Sequence, residues 1–471
     1  MLRLKPGFYR PVPLSESRTA PTRGEGGRIR WNRAPRHRPP RTFVYEKSYR
    51  YEGSGWSATM LIQGSGVSAS VVWSPSLLEY RHSVDHPMSP HRLDLTMSLA
   101  TELGVLQGVE LTDPGFAADE DILRIHTKRY LDAVKHAGTM TPGEHEGMSH
   151  GLGTPDNPVF PAMHEASASI AGGTLAAARA VAHGETTRAV SVAGGMHHAM
   201  SSAAAGFCVY NDAAIAIDWL LDNGYSRIAY VDIDVHHGDG VQSAFYEDPR
   251  VLTVSLHQHP ATLWPSTGWA SEIGAGSAEG TAVNLSFLPG VADDLWLRGF
   301  HAVVPGALRA FEPEIIVLQC GCDSHREDPL ADLALTVDGH RAAYLEMMAL
   351  ADELCGGRII AIGGGGYELV RVVPRSWTHL IAAVLGTPVE LQTAVPASWQ
   401  SMARDLTVPG RVPTTMGDDD ADVEYVPWEP EVPPGDDPAA ERARMRVDRS
   451  IIDTRRSVFP LLGLDPDDPR D

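Results

Sequence analysis

Cysteine is scarce in this 471-residue sequence. The four cysteines, Cys208, Cys320, Cys322 and Cys355, are too few for a disulfide framework and are typical of a protein in a reducing cytoplasm. No run of 18 apolar residues occurs, which argues against a membrane-spanning helix. The amino terminus lacks the basic, apolar and small-residue order of a secretory signal. We therefore expect a cytoplasmic protein without a membrane partner.

Basic residues are also few relative to acidic ones. The chain has 39 Lys and Arg against 60 Asp and Glu, and this formal net charge of −21 argues against a nucleic-acid partner. Residues 1–60 are the exception, with 13 basic and 4 acidic residues and much Arg, Pro and Gly. This composition predicts that residues 1–69 are a disordered basic extension, or a mis-started one whose natural start is Met60. A basic arm for nucleic acid is the third interpretation.

Apolar runs alternate with Ala-rich segments between about residues 70 and 390. The runs are continuous, as in strands covered on both faces, and predict strands within 188–195, 227–235, 250–257, 314–321 and 358–366. The segments between them predict helices within 166–182, 210–224 and 338–357. This alternation predicts an α/β fold with a mainly parallel sheet and helices on both faces.

The chain beyond residue 396 has a different composition. Its stretch "GDDDADVEYVPWEPEVPPGDDP" is acidic and rich in proline, and "AAERARMRVDRSIID" follows it. We expect residues 397–471 to be an acidic, Pro-rich tail in which the second stretch forms a short helix.

Polar side chains cluster where the predicted strands end, which is where open parallel sheets place their active sites. Asp234 and His236 lie two residues apart at one strand end and project to the same side, and Asp323 follows another strand. This N/O donor set with an open position suits a catalytic divalent metal. A capping carboxylate beside a surface histidine would explain the first pair alone. Cys320 and Cys322 alternate within a strand and are interpreted as core residues.

Proton carriers accompany this donor set. His197 and His198 follow a strand and two glycines, and Asp232 and Asp239 are spare carboxylates that could orient one histidine each. Tyr367 ends the glycine run "GGGGY" and could donate a hydrogen bond to a developing oxyanion. No Lys-Ser/Thr follows the glycines, which excludes a P-loop. The combination indicates metal-assisted hydrolysis of an amide.

Five ordered motifs carry a family resemblance. "GGMHHA", "GFCVYNDAAIA", "YVDIDVHHGDGVQSAFYEDPRVLTVSLH", "CGCDS" and "GGGGY" resemble the zinc-dependent histone deacetylase superfamily, and "DHPMSPHRLDL" is similar to its bacterial acetoin-utilisation branch. The resemblance runs from about Val71 to about Pro396 and implies a deacetylase catalytic domain over residues 70–396. It also implies the arginase/deacetylase fold, with an eight-stranded, mainly parallel sheet.

The resemblance implies a role for each polar residue. One Zn²⁺ per chain is implied at the three candidate ligands named above. His198 matches the general base and Asp239 its carboxylate partner, while His197 matches the largely electrostatic histidine near Asp232. Tyr367 matches the tyrosine that polarises the acetyl carbonyl.

Substrate contacts are implied in the same way. Asp156 matches a rim aspartate that holds the substrate backbone, and Phe207 and Trp264 match the aromatic pair that lines an acyl-lysine tunnel. Trp replaces the more usual Phe at the second position, which implies a narrower tunnel.

The resemblance also implies a site for a monovalent cation such as K⁺. It is similar to one formed near the backbone of Asp232, Asp234 and His236 together with Ser255 and Leu256.

The implied function is removal of acetyl groups from acetyl-lysine in proteins, with a metabolic enzyme such as acetyl-CoA synthetase as substrate. Acetylpolyamine deacetylation and a non-catalytic acyl-lysine binding protein are the alternatives. A ureohydrolase with two Mn²⁺ is disfavoured, because "DVHHG" lacks the bridging carboxylate of Asp–x–His–x–Asp.

Overall fold

A computed structural model describes residues 68–471 except residues 84, 141–148, 408–410, 419 and 431–436. Upstream it describes the backbone of β1 (Phe43–Tyr51) and β2 (Trp56–Gln63), which pair antiparallel within a separate compact unit of residues 10–67. The extension predicted to lack regular structure therefore contains two strands. Their aromatic and β-branched residues favour strands, but the Arg, Pro and Gly of the whole segment obscured them. Residues 68 and 69 belong to the main unit, and, apart from β1 and β2, the other residues of the predicted extension lie outside the described ones.

Eight strands lie in the described part of the main unit: β3 (Ala69–Val72), β4 (Leu111–Thr112), β5 (Arg188–Ser191), β6 (Ile228–Asp232), β7 (Val251–Gln258), β8 (Ala282–Phe287), β9 (Ile315–Gln319) and β10 (Ile359–Ile362). The helices are α1 (His91–Glu102), α2 (Asp119–Ile122), α3 (Lys128–Ala137), α4 (Met163–Ala182), α5 (Asp212–Asp222), α6 (Asp239–Phe245), α7 (Asp293–Phe311), α8 (Val337–Cys355), α9 (Val373–Val384), α10 (Ala397–Ala403) and α11 (Pro438–Val458). Short 3₁₀ segments cover Pro75–Glu79, Gly276–Ala278, Arg404–Leu406 and Phe459–Leu462.

The eight strands form one sheet in the order β4-β3-β5-β10-β9-β6-β7-β8, and every pairing is parallel. Every residue of β5, β6, β7, β9 and β10 is buried. Because successive side chains point to opposite faces, helices must cover both faces of the sheet. The α/β fold with an eight-stranded parallel sheet is confirmed, and so are the five predicted strands and three predicted helices. None of the helices in the described residues has the length and apolar character that a membrane crossing requires.

The strand order decides where the polar clusters lie. The strands β5, β10, β9, β6 and β7 are consecutive neighbours in the sheet, although they come from residues 188 to 362 of the chain. All run in one direction, so their carboxyl ends share one edge. The loops that carry the candidate site residues therefore begin side by side.

Helix ends near this edge are fixed by local sequence. The Asn211 side chain accepts a hydrogen bond from the Ala214 amide (2.9 Å) and begins α5. The Thr336 hydroxyl accepts one from the Gly339 amide (3.2 Å) and begins α8, and Gly356 with φ +60° caps the other end of this helix after Cys355. Such caps satisfy amides or carbonyls that a helix end leaves without partners.

The carboxyl-terminal residues differ from the expected tail with a short helix. Helix α11 is 21 residues long and packs on α7 and β8, with Val447, Ile451 and Val458 buried along one side. The Arg455 side chain is also buried, donates to the Ala302 carbonyl (2.6 Å) and covers the Trp428 ring at 4.6 Å. The apolar stripe at spacings of four and seven residues is the signal that the Arg-rich composition obscured.

We expect Ile451→Ala to destabilise the whole main unit. Ile451 is fully buried, and truncation of such a side chain lowers the free energy of unfolding by about 2–5 kcal/mol. Met445→Ala is the control on the same helix, because Met445 is 59% exposed and should change stability by no more than about 0.5 kcal/mol. Denaturant unfolding measures both. Equal effects of the two substitutions would show that α11 does not pack on the core.

Candidate active site

Three side chains form a compact donor cluster beyond β6 and β9. Ligand atoms of Asp234, His236 and Asp323 all lie within 4.8 Å of one another, and all three residues are buried. The His236 Nδ1 atom is 3.0 Å from Asp323 Oδ2 and 3.3 Å from Asp234 Oδ1. The structure thus brings together the three predicted metal ligands.

The surroundings of this cluster fit a cation. Asp234 Oδ2 accepts hydrogen bonds from Gln319 Nε2 (2.9 Å) and from the Gly365 amide (2.7 Å). A Cβ atom at Gly365 would lie 2.0 Å from Asp323 Oδ2, so only glycine allows this approach. Burial opposes charge on His236, but its hydrogen bonds to the two carboxylates raise its pKa to about 10. The cluster therefore favours positive charge at its centre, and one nitrogen with two carboxylate oxygens is a donor set that Zn²⁺ accepts.

Each histidine of the adjacent pair has its own carboxylate. His197 Nδ1 is 2.8 Å from Asp232 Oδ2, and His198 Nδ1 is 2.7 Å from Asp239 Oδ1, at the start of α6. The carboxylates can only accept, so both Nδ1 atoms carry a proton. The two Nε2 atoms are 3.0 Å apart, a distance at which a single proton lies between them. Both predicted His–Asp pairs are present.

The two histidines differ in basicity. Burial opposes charge on His197, but the Asp232 and Asp234 carboxylates raise its pKa to about 9. Burial and the neighbouring His197 charge lower the pKa of His198 well below its usual value. The shared proton therefore belongs to His197, and His198 is the neutral member of the pair.

Tyr367 lies beside the cluster at the end of the glycine run after β10. Its backbone amide donates to Asp328 Oδ2 (2.9 Å), and its ring meets the Phe207 ring edge-on at 5.6 Å. Burial and the Asp323 carboxylate raise the pKa of Tyr367 well above its usual value. The phenol thus keeps its proton and can act as a hydrogen-bond donor.

Aromatic side chains border the histidines. The Trp264 ring lies 4.6 Å from the His198 ring and 6.4 Å from the His236 ring. Gly206 precedes Phe207 with φ +51°, and a Cβ atom there would lie 2.4 Å from His198 Cδ2 and 2.8 Å from the Trp264 ring. The Phe207 ring therefore contacts Tyr367 and the Trp264 ring contacts His198 and His236, and their role as tunnel walls stays a prediction.

Asp156 lies further out and is half-buried. Its backbone carbonyl is 3.2 Å from His86 Nε2, and the His86 ring packs on the Phe207 ring at 4.5 Å. The Phe207 carbonyl accepts the Tyr80 hydroxyl at 2.6 Å and lies 3.2 Å from His82 Nε2. Tyr80, His82 and His86 were not singled out from the sequence, although three such residues before a helix in "YRHSVDH" are a usable signal.

Gln319 and Asp328 are two further residues that the sequence analysis missed. Gln319 ends β9 as a fully buried polar residue, which is the signal that could have identified it. Asp328 is also fully buried, and its Oδ2 atom accepts a hydrogen bond from the Tyr367 amide (2.9 Å).

The predicted monovalent-cation site stays a prediction. Asp232 of β6 and Ser255 of β7 are register partners, and the Asp234 amide donates to Asp232 Oδ1 at 3.1 Å. This places several of the residues implied by the resemblance on two paired strands.

Comparison with known proteins agrees with this geometry. The profile of the histone deacetylase domain matches residues 86–384. The chain is 38% identical to the acetoin utilization protein AcuC of Bacillus subtilis (strain 168) over 328 residues, which cover 70% of this chain and 84% of that protein. It is 36% identical to AcuC of Staphylococcus aureus (strain MRSA252) with the same coverage, and 36% identical to AcuC of Staphylococcus xylosus over 67% of this chain and 82% of that protein. The chain therefore belongs to the histone deacetylase family, in its acetoin-utilisation branch.

Proposed function

We propose that this chain is a zinc-dependent hydrolase that removes acetyl groups from acetyl-lysine side chains of proteins. The observation that carries the proposal is a pair of histidines, each bound to its own carboxylate, beside the three-residue donor cluster. The branch resemblance favours a metabolic enzyme such as acetyl-CoA synthetase as the substrate, within acetoin or acetate metabolism.

One Zn²⁺ held by Asp234, His236 and Asp323 would supply Lewis-acid polarisation of the acyl carbonyl and of the attacking water. His198 accepts a proton from that water at Nε2, in place of the hydrogen bond that it receives there from His197, because Asp239 holds the other proton on its Nδ1.

Two further groups stabilise the negative charge that develops on the substrate. The Tyr367 hydroxyl donates a hydrogen bond to the carbonyl oxygen as that oxygen becomes negative. His197 keeps its positive charge beside Asp232 and stabilises the same negative charge. The proton on His198 then passes to the leaving lysine amine, and acetate and free lysine are the products.

Specificity for an extended acyl-lysine side chain comes from the aromatic walls. Phe207 lies against Tyr367 and Trp264 lies against His198, and both rings suit the apolar methylene chain of lysine. The Asp156 carboxylate, near the rim, would accept hydrogen bonds from the backbone amides of the substrate. This contact would favour a peptide over a polyamine, which has no such amides.

A substrate panel tests the proposal. Purified protein is assayed with an acetyl-lysine peptide, acetylated acetyl-CoA synthetase and acetylpolyamines, with a chelator-treated sample as the control. We expect kcat/KM for the peptide and the synthetase to exceed that for acetylpolyamines by at least about tenfold, or about 1.4 kcal/mol in transition-state binding. Preference for acetylpolyamines would establish the alternative substrate. Binding of the peptide without turnover would indicate a non-catalytic acyl-lysine binding protein.

Substitutions of the proposed base His198 and of the oxyanion donor Tyr367 should lower the turnover rate more than the substrate affinity. We expect His198→Ala to reduce turnover by ~10²–10⁴-fold and Tyr367→Phe by ~10²–10³-fold. Both should leave the metal content unchanged, and Tyr367→Phe should change substrate affinity far less than rate. Single-turnover deacetylation of an acetyl-lysine peptide, alongside metal analysis, measures these effects.

Tyr210→Phe is the matched control, because it removes a buried hydroxyl whose partner is His164 Nδ1 (3.0 Å), outside the site. It should retain nearly full turnover. If His198→Ala kept near wild-type turnover with metal in place, His198 would not be the base, and full activity in Tyr367→Phe would remove the phenol from the mechanism.

A further inference from the structure

A short segment beyond the family-matched residues lies against the two loops that carry Asp323 and Tyr367. We name residues 411–418 the strap; the family match ends at residue 384. The Met416 amide donates to the Thr393 carbonyl (2.9 Å) and the Gly417 amide to the Leu391 carbonyl (2.7 Å). The Met416 side chain is fully buried. The strap is therefore held by its own backbone and apolar contacts.

The strap presents one buried carboxylate to both loops. The Asp418 side chain is 4% exposed. Its Oδ1 atom accepts from Arg375 Nη2 (2.8 Å), and its Oδ2 atom accepts from His325 Nε2 (3.0 Å) and from the Val337 amide (3.0 Å). Burial opposes charge on Asp418, but its hydrogen bond to His325 and the Arg375 charge hold its pKa well below the usual range.

The first loop, residues 323–328, begins at the candidate metal ligand. His325 Nδ1 accepts from the Glu327 amide (3.0 Å), so its proton lies on Nε2 and points to Asp418. The Asp328 amide donates to the His325 carbonyl (2.9 Å), and Asp328 Oδ2 accepts from the Tyr367 amide (2.9 Å). Hydrogen bonds thus run from Asp418 through His325 and Asp328 to the backbone of Tyr367.

The second loop runs from Tyr367 into α9 and meets the strap from the other side. Arg375 Nη1 donates to the Gly417 carbonyl (2.7 Å), and Arg375 Nε donates to the Arg371 carbonyl. Glu327 of the first loop accepts from Arg371 Nε (2.8 Å) and from Arg411 of the strap. Arginines and carboxylates therefore join all three segments.

We propose that the strap fixes the relative positions of Asp323 and Tyr367, with Asp418 as the positioning residue. Displacement of either loop would move a metal ligand or the oxyanion donor while the aromatic walls stay in place. The effect on catalysis rests on the proposed deacetylase function, whereas the effect on the donor cluster does not.

The test is Asp418→Asn, with Asp448→Asn as the matched control. The side-chain amide introduced by Asp418→Asn would direct hydrogens at Arg375, or at His325 and the Val337 amide, which are all donors. Asp448 on α11 also accepts from two arginines, Arg298 Nε (2.7 Å) and Arg444 Nη1 (2.7 Å), but it joins α11 to α7 instead of the catalytic loops. Both substitutions therefore break a partly or fully buried carboxylate contact in the carboxyl-terminal region.

Three measurements separate positioning from general stability: kcat and KM on an acetyl-lysine peptide, thermal unfolding, and the visible absorption of Co²⁺-substituted protein. Cobalt reports ligand geometry, whereas Zn²⁺ has a filled d shell. We expect Asp418→Asn to lower kcat by about 10- to 100-fold with little change in KM and to change the cobalt spectrum. Asp448→Asn should keep the wild-type kcat and cobalt spectrum, even if its unfolding temperature falls as far as that of Asp418→Asn.

Equal effects of the two substitutions on kcat and on the spectrum would overturn the proposal, as would a wild-type spectrum in Asp418→Asn. If Asp418→Asn does not fold, His325→Leu removes the contact to the first loop with an apolar side chain and is judged by the same criteria. If the wild type itself lacks turnover, the proposed function fails and the cobalt spectrum alone decides the role of the strap.

Discussion

Convergence of two buried carboxylates on one imidazole is the interaction on which the rest of the structure depends. Asp234, His236 and Asp323 meet within 4.8 Å at the carboxyl edge of the sheet. Buried charges of like sign are costly unless hydrogen bonds and a cation compensate them. Backbone amides and Gln319 supply the hydrogen bonds, and glycine at position 365 leaves room for the carboxylates. We propose that a bound divalent cation supplies the remaining charge.

The surrounding buried charges also give the two histidines different protonation states. Asp232 is fully buried and accepts from Tyr230 as well as from His197, so its charge is compensated mainly by a protonated imidazole. His198 lies next to that positive charge and stays neutral, which suits a base. The two adjacent imidazoles thus acquire different charge states from their surroundings: the Asp232 and Asp234 carboxylates raise the pKa of His197, whereas burial and the His197 charge lower the pKa of His198.

Local patterns carried most of what the sequence could predict. Continuous apolar runs identified the five central strands, and polar residues just after them pointed to the donor cluster of Asp234, His236 and Asp323. The assignment of each histidine to its own aspartate came from the family resemblance. The sequence analysis missed Gln319 and Asp328 because their roles depend on long-range contacts. Gln319 contacts Asp234, 85 residues away, and Asp328 contacts Tyr367, 39 residues away. Helix α11 was underestimated because its arginines outnumber its buried apolar residues, and its packing depends on α7 and β8. The contacts of Gln319 and Asp328 leave no local periodicity, whereas the apolar stripe of α11 is present in the sequence but stands among its arginines.

Metal-linked unfolding tests the central claim most directly. Chelator-treated protein is unfolded thermally before and after addition of Zn²⁺, and bound metal is counted by elemental analysis in the wild type and in Asp323→Ala. We expect one metal per chain, a higher unfolding temperature with Zn²⁺ and a stabilisation of about 2.7 kcal/mol at free zinc 100-fold above Kd. Asp323→Ala should lose both the bound metal and the stabilisation. A single cation at the centre of this site would be contradicted by two metals per chain or by undiminished metal in the variant. An unfolding temperature that Zn²⁺ does not change would contradict it as well.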